Sequence, residues 1–171
     1  MPETYDIREP NLLAAGAIGE PGSRVFYIQA GDEHRRLSLK LEKQQVVALA
    51  QFLRGVLEDL PSPTGELPPA DLVEPIEVDW IVGQIAVGVD EADAEIVLMV
   101  EELVPFDDDD LDELPELFDD VSTGSSLRVH IDPARAASFV AKADALVAKS
   151  RPPCRLCGQP EDGGHACPRL N

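Results

Sequence analysis

The stretch SLRVHIDPARAASFVAKADALVAK, residues 126–149, decides the fold because its hydrophobic period changes in the middle. Leu127, Val129 and Ile131 alternate with polar residues, and this period of two predicts a strand with one buried face. Asp132 and Pro133 follow; Asp is a preferred N-cap residue, and Pro is favoured at the first helical position. We therefore predict a helix over 133–149. Its inward face would consist of Ala136, Phe139, Val140, Ala143, Leu146 and Val147.

The same order of strand and helix occurs 90 residues earlier in the chain. An alternating strand ends near Leu41, and a helical period follows from Lys43 to Leu60. Shifted by 90, the apolar positions of this unit all fall on apolar residues of the later one; they are Leu37, Leu39, Leu41, Val46, Leu49, Ala50, Leu53, Val56 and Leu57. This match favours an internal duplication, although any two strand-helix units share part of such a pattern.

Two more strands are predicted before each of these units, at 12–19 and 24–29 in the first half and at 79–89 and 94–101 in the second. We therefore predict an α+β fold of two β-β-β-α pseudo-repeats that form one antiparallel-sheet domain with the helices on one side. The first repeat would cover residues 1–60 and the second 76–150. Between them, the five prolines of 61–75 indicate an extended linker.

The net charge of −19 is concentrated in one segment, because residues 101–120 hold 11 acidic residues and no basic one. Outside this segment the chain has 22 acidic and 14 basic residues, and this charge balance is ordinary for a chain of this length. We therefore assign residues 101–124 to an acidic insert in the second repeat. The charge disfavours nucleic acid as a partner, although binding stays possible, and it opposes an anionic membrane. With no apolar stretch long enough to span a membrane and no signal peptide, we expect a cytoplasmic protein.

The tail, residues 151–171, contains all three cysteines of the chain. Cys154, Cys157, His165 and Cys167 follow the spacing C-x2-C-x7-H-x-C, and four such ligands suit tetrahedral zinc. Because the protein fills all four positions, we predict a structural zinc knuckle rather than a catalytic site. A redox Cys-x-x-Cys pair or three free thiols are the alternatives.

Several motifs together resemble an uncharacterised actinobacterial domain-of-unknown-function family, described as a repeat protein. They are the turn Gly19-Glu-Pro-Gly22, the segment Asp79-Trp-Ile-Val-Gly83, the acidic insert and the tail pattern Pro-Pro-Cys-x-x-Cys-Gly-x-Pro with Gly-His-x-Cys-Pro-Arg. The resemblance covers essentially the whole chain. It implies the same four metal ligands, and the family has no established activity that could be carried over to this chain. Members are encoded beside a histidine-phosphatase-like and a kinase-like protein, which implies a shared process.

The leading hypothesis is a non-catalytic zinc-binding protein that acts through interaction with a protein partner. One alternative is a module that binds single-stranded nucleic acid or a nucleotide, because paired sheet-and-helix repeats resemble the Pur and Whirly proteins at the level of fold. That role requires exposed aromatic residues, yet we predict Phe26, Tyr27 and Trp80 to be core residues. The other alternative, an enzyme linked to phosphate-ester metabolism, rests on the neighbouring genes alone. We predict His34 and His130 to be exposed rather than catalytic.

Overall fold

The computed structural model describes residues 1–105, 124–149, 154–158 and 167–169. Within these ranges the chain forms seven strands and two helices, consistent with the predicted α+β class. The elements are β1 (Thr4–Ile7), β2 (Leu12–Ile18), β3 (Val25–Gly31), β4 (Arg36–Leu41), α1 (Lys43–Asp59), β5 (Trp80–Asp90), β6 (Glu95–Glu102), β7 (Ser126–Ile131) and α2 (Pro133–Ala148). Most of the acidic insert and most of the tail lie outside the described residues.

All seven described strands belong to one sheet with the order β1-β7-β6-β5-β4-β3-β2. The strands β2, β3 and β4 form one antiparallel meander, and β5, β6 and β7 form another. The two meanders join through β4 and β5, which pair in parallel, and β1 pairs in parallel with β7. The prediction of an antiparallel sheet is therefore wrong, because the sheet is mixed. The helix and the long segment between β4 and β5 bring the chain back in its original direction, as a parallel pair requires.

The sheet is strongly curved, because its two edge strands are consecutive in the chain. In a flat sheet of seven strands, six gaps of about 4.8 Å would separate the edges by about 29 Å. The link from Ile7 to Leu12 has five residue steps and spans at most about 18 Å. Helix α2 accordingly contacts both β6, in the second meander, and the edge strand β2, in the first. It also packs against α1.

One hydrophobic core lies between the sheet and the two helices, and every strand contributes to it. The predicted face of α2 is buried at five of its six positions, with Phe139 only 1% exposed. The prediction is wrong for the sixth, Val147, which is 37% exposed near the end of the helix. The predicted cap is confirmed: the Asp132 carboxylate accepts a hydrogen bond from the backbone N–H of Arg135 at 2.7 Å.

The segment between α1 and β5 is extended and lies against the sheet. The side chain of Gln29, fully buried on β3, donates to the backbone oxygen of Val73 and accepts from its N–H. Farther along, the Asp79 carboxylate accepts from the N–H of Ser38 on β4. These contacts attach the segment to the first meander. The division of the chain into repeats and a linker stays a prediction.

Two pairs of elements are spaced as the proposed duplication requires. Strand β4 begins and ends 90 residues before β7, and α1 begins 90 residues before α2. The side chains of Arg54 on α1 and Asp144 on α2, also 90 residues apart, form an ion pair at 2.7 Å. The spacing agrees with the sequence pattern, while the duplication itself stays a prediction.

Candidate metal centre

The first part of the candidate site is a tight turn after the prolines that follow α2. The backbone N–H of Gly158 donates to the carbonyl oxygen of Cys154 at 2.9 Å and closes the turn. Gly158 has a φ of +73°, a left-handed conformation that glycine adopts without the strain of a Cβ. The turn brings Cys157 round towards Cys154, as the Cys-x-x-Cys-Gly spacing predicts for a knuckle.

The second part of the site is Cys167, which the fold brings back to this turn across 13 residues of sequence. The sulfur atoms of Cys154, Cys157 and Cys167 all lie within 4.8 Å of one another. The Sγ atoms of Cys154 and Cys167 are 3.9 Å apart. Cys154 and Cys167 are buried and Cys157 is half-buried, and none of the three forms a disulfide.

The electrostatics of the turn favour a thiolate. The backbone N–H groups of Cys157 and, less strongly, Leu156 hydrogen-bond to the sulfur of Cys154 and lower the pKa of its thiol to about 7. Hydrogen bonds from N–H groups stabilise the charged form of an acid. Because metals bind thiolates rather than thiols, this turn prepares Cys154 as a ligand near neutral pH.

The spacing of the sulfur atoms fits a tetrahedral metal ion. Zinc–sulfur bonds of about 2.3 Å at tetrahedral angles place two sulfurs about 3.8 Å apart, close to the distance between Cys154 and Cys167. The three cysteines predicted as ligands are therefore brought together in an arrangement that can hold a metal ion. His165, the predicted fourth ligand, lies outside the described residues.

The aromatic residues and histidines singled out in the sequence lie in the folded body. Trp80 is 7% exposed and belongs to the core, as does Phe26, so neither is available as a surface for base stacking. Tyr27 is half-buried on β3 rather than a full core residue, because its side chain lies on the other face of that strand from Phe26. His34 is exposed in the turn after β3, as predicted. The predicted exposure of His130 is wrong, because its side chain is only 14% exposed between two carboxylates.

Neither helix in the described ranges combines the length and the apolar character needed to cross a membrane.

Comparison with known proteins gives one match. A family model described as "Protein of unknown function (DUF3090)" covers residues 5–167, nearly the whole chain. The chain therefore belongs to this family. No curated protein and no solved structure matches the chain. The resemblance to a family of unknown function is thus confirmed, while its actinobacterial range and its repeat stay predictions.

Proposed function

We propose that this member of the DUF3090 family is a non-catalytic protein whose tail holds a structural zinc ion and contacts a protein partner. The ligands would be Cys154, Cys157, His165 and Cys167. The observation that supports this proposal is the convergence of three thiol sulfurs within 4.8 Å of one another. A shared metal ion would explain why three cysteines from two separate parts of the tail lie so close together.

The chemistry of the donor atoms favours zinc over other common metals. Calcium and magnesium prefer oxygen ligands, whereas three thiolates with an imidazole match the Cys3His sets of structural zinc sites. Four protein ligands complete a tetrahedron and leave no position for a reactive water. When bound, the ion would supply cross-linking of the tail rather than Lewis-acid chemistry.

The tail also has little other means of holding a fixed shape. Its only large apolar residues are Leu156 and Leu170, and Leu156 is 48% exposed. A segment without a core gains its folding free energy from metal binding. A tail shaped by zinc then presents a defined surface, and this is why we place the contact with a protein partner there.

Cobalt substitution of the full-length chain tests the ligand set. Co²⁺ in a tetrahedral thiolate site gives intense visible absorption and a sulfur-to-metal charge-transfer band. We expect one equivalent of Co²⁺ to produce both bands in the wild type and zinc to displace it. Cys154→Ser and His165→Ala should weaken binding or change the spectrum, whereas His34→Ala, in the exposed turn, should leave it unchanged. A wild-type spectrum without these bands would contradict the ligand set.

Affinity capture from native lysate tests the interaction separately. The full-length wild type and the variant Cys154→Ser/Cys157→Ser are used as parallel baits. A protein retained by the wild type in stoichiometric amount and lost with the variant supports a partner bound through the tail. Identical captures from the two baits would count against the tail as the contact surface, whatever the cobalt spectra show.

A further inference from the structure

The two helices lie against the sheet in corresponding ways. Helix α2 contacts β2, the first strand of one meander, and α1 contacts β5, the first strand of the other. Helix α1 begins 90 residues before α2, so each position in one helix has a counterpart in the other. The cleft between α2 and β2 can therefore be compared with the cleft between α1 and β5.

The cleft beside α2 is covered by an extended segment of the same chain, residues 68–72. The hydroxyl group of Ser138 on α2 donates a hydrogen bond to the backbone oxygen of Pro68 at 2.8 Å. One turn later in the helix, the ammonium group of Lys142 forms an ion pair with the carboxylate of Asp71. Helix α2 thus holds this covering segment through two polar side chains.

The covering segment also contacts the strand of this cleft. Leu72 lies so close to β2 that a Cβ on Gly16 would clash with its side chain. Ser138, under the segment, is only 7% exposed. An extended stretch of chain that contacts both helix and strand therefore closes the cleft beside α2.

The counterpart cleft beside α1 is open over the part of the chain that the structure describes. Ala48 and Phe52 occupy the positions in α1 that Ser138 and Lys142 occupy in α2. Ala48 is exposed, and Phe52 is 54% exposed. An aromatic side chain is thus left bare where its counterpart in α2 contacts the covering segment.

A cavity of about 350 Å³ lies in the open cleft, and Gln45 is the one polar residue among those that line it. Both sides of the cleft contribute apolar side chains to its lining, with Leu49 and Phe52 from α1 and Ile85 and Val87 from β5. The volume is near the lower limit for ligand pockets, about 300 Å³, and is small for a large cofactor. It matches one or two apolar side chains better.

We propose that the open cleft between α1 and β5 binds an extended apolar segment of a partner protein, as the cleft beside α2 binds residues 68–72 of this chain. Burial of Phe52 and of the apolar side chains of the partner supplies the driving force. The surface belongs to the folded body, so the proposal depends neither on the tail nor on its metal.

The chemistry of the partner segment follows from the differences between the two helices. Where α2 has a hydroxyl and an ammonium group, α1 has the methyl group of Ala48 and the ring of Phe52. A carboxylate such as that of Asp71 would lose water at this ring without gaining a partner. The partner segment therefore carries an apolar side chain where the covering segment has Asp71.

Peptide titration of the ¹⁵N-labelled full-length chain, followed by NMR, tests the proposal. The probes are two synthetic peptides with the sequence of residues 66–74, one with Asp71→Leu and the other with Asp71→Phe. We expect both to shift the amide signals of Phe52, Ile85 and Val87 with a Kd of about 1 mM or lower, because a short flexible peptide binds weakly. The peptide that keeps Asp71 is the matched control and should bind at least about tenfold more weakly.

Variants of the chain test the location of binding. Phe52→Ala, which removes one wall of the cavity, and Ala48→Glu, which adds a charged side chain to it, should each weaken binding about tenfold or more. Gln51→Ala, an exposed change on α1 outside the cavity, should leave binding unchanged. Cys154→Ser/Cys157→Ser should also bind as the wild type does, which separates this test from that of the metal site.

Three results would overturn the proposal. The first is the absence of shifts from both probes at about 2 mM peptide, and the second is equal binding by the wild type and Phe52→Ala. The third is a set of shifts confined to Gly16 and Ser138, because the peptide would then replace the covering segment. Signals of Phe52 and Val87 that depend on the concentration of the chain alone would assign the cleft to a second copy instead.

Discussion

At the scale of single residues, Gly83 marks a close approach between two backbones. It lies at the irregularity in the pairing of β5 with β6, and a Cβ built on it would come within 2.9 Å of the Cα of Leu103. We expect Gly83→Ala to lower the free energy of unfolding by about 1–3 kcal/mol, because the backbone of Leu103 must shift.

Gly55 provides the matched control for Gly83. It lies inside α1, and a Cβ there would meet nothing within 4 Å. Gly55→Ala should raise the free energy of unfolding by about 0.5–1 kcal/mol, since alanine restricts the unfolded chain and favours the helix. Urea denaturation of both variants checks the pair, and equal effects of the two substitutions would contradict the close approach at Gly83.

Gln29 connects the sheet to the segment that follows α1. Its buried amide makes two hydrogen bonds with the backbone of Val73 and a third with the hydroxyl of Ser38. Gln29→Ala leaves these groups without partners, and we expect the free energy of unfolding to fall by about 2–3 kcal/mol. Gln51→Ala, an exposed change of the same kind on α1, should alter it by no more than about 0.5 kcal/mol. Thermal and urea unfolding compare the two variants.

Sequence patterns identify apolar core residues well and buried polar residues poorly. Alternation assigns Leu127, Val129 and Ile131 to the core, and the structure confirms all three. Nothing local in the sequence indicates that Gln29 is buried or that His130 is half-buried, because their partners Val73 and Asp6 lie 44 and 124 residues away. Such positions become visible only when the strand pairing is known.

At the scale of elements, the start of α2 depends on Asp132. Its carboxylate accepts from the N–H of Arg135 in the first turn. Asp132→Ala should lower the free energy of unfolding by about 1 kcal/mol, the usual effect of removing an N-cap. Asp132→Ser, which keeps a capping oxygen, should recover most of the loss. Urea denaturation followed by circular dichroism measures both, and equal losses in the two variants would argue against the cap.

Elements with a local signature are predicted almost to the residue, and short ones are not. The sequence predicts a strand at 126–131 and a helix that begins at Pro133. The structure confirms both the strand and the first residue of the helix. The strand β1 is missed because its four residues contain only two that face the core, buried Ile7 and half-buried Tyr5, which is too little for a periodic pattern. It forms because β7 offers an edge with which it pairs.

At the scale of the whole molecule, the direction of strand pairing is the part of the fold that the sequence does not reveal. The pairs β2–β3, β3–β4 and β5–β6 follow from short turns, which impose antiparallel pairing, whereas β6 and β7 pair across a connection of 23 residues. The parallel contacts depend on long-range returns: β4 meets β5 after α1 and the proline-rich segment, and β1 meets β7 from the other end of the chain. No local pattern encodes these contacts, and so the sheet is mixed where an antiparallel one is predicted.

The sequence predicts the cysteine cluster of the tail more directly than it predicts the strand pairing of the sheet. The spacing of Cys154, Cys157 and Cys167 predicts that they share a metal ion, and the structure brings their three sulfurs within 4.8 Å of one another. His165 is assigned as the fourth ligand from the sequence spacing alone. A metal held by these ligands would be an integral part of the tail rather than a loosely bound ion.

The metal content of the full-length chain, purified without added metal or chelator, decides whether the tail is a zinc site. Elemental analysis and mass spectrometry under native conditions both measure it. We expect one zinc ion per chain in the wild type and its loss in Cys154→Ser/Cys157→Ser. A chain that folds and carries no stoichiometric metal would contradict the zinc site, as would zinc that is retained in full by the double variant.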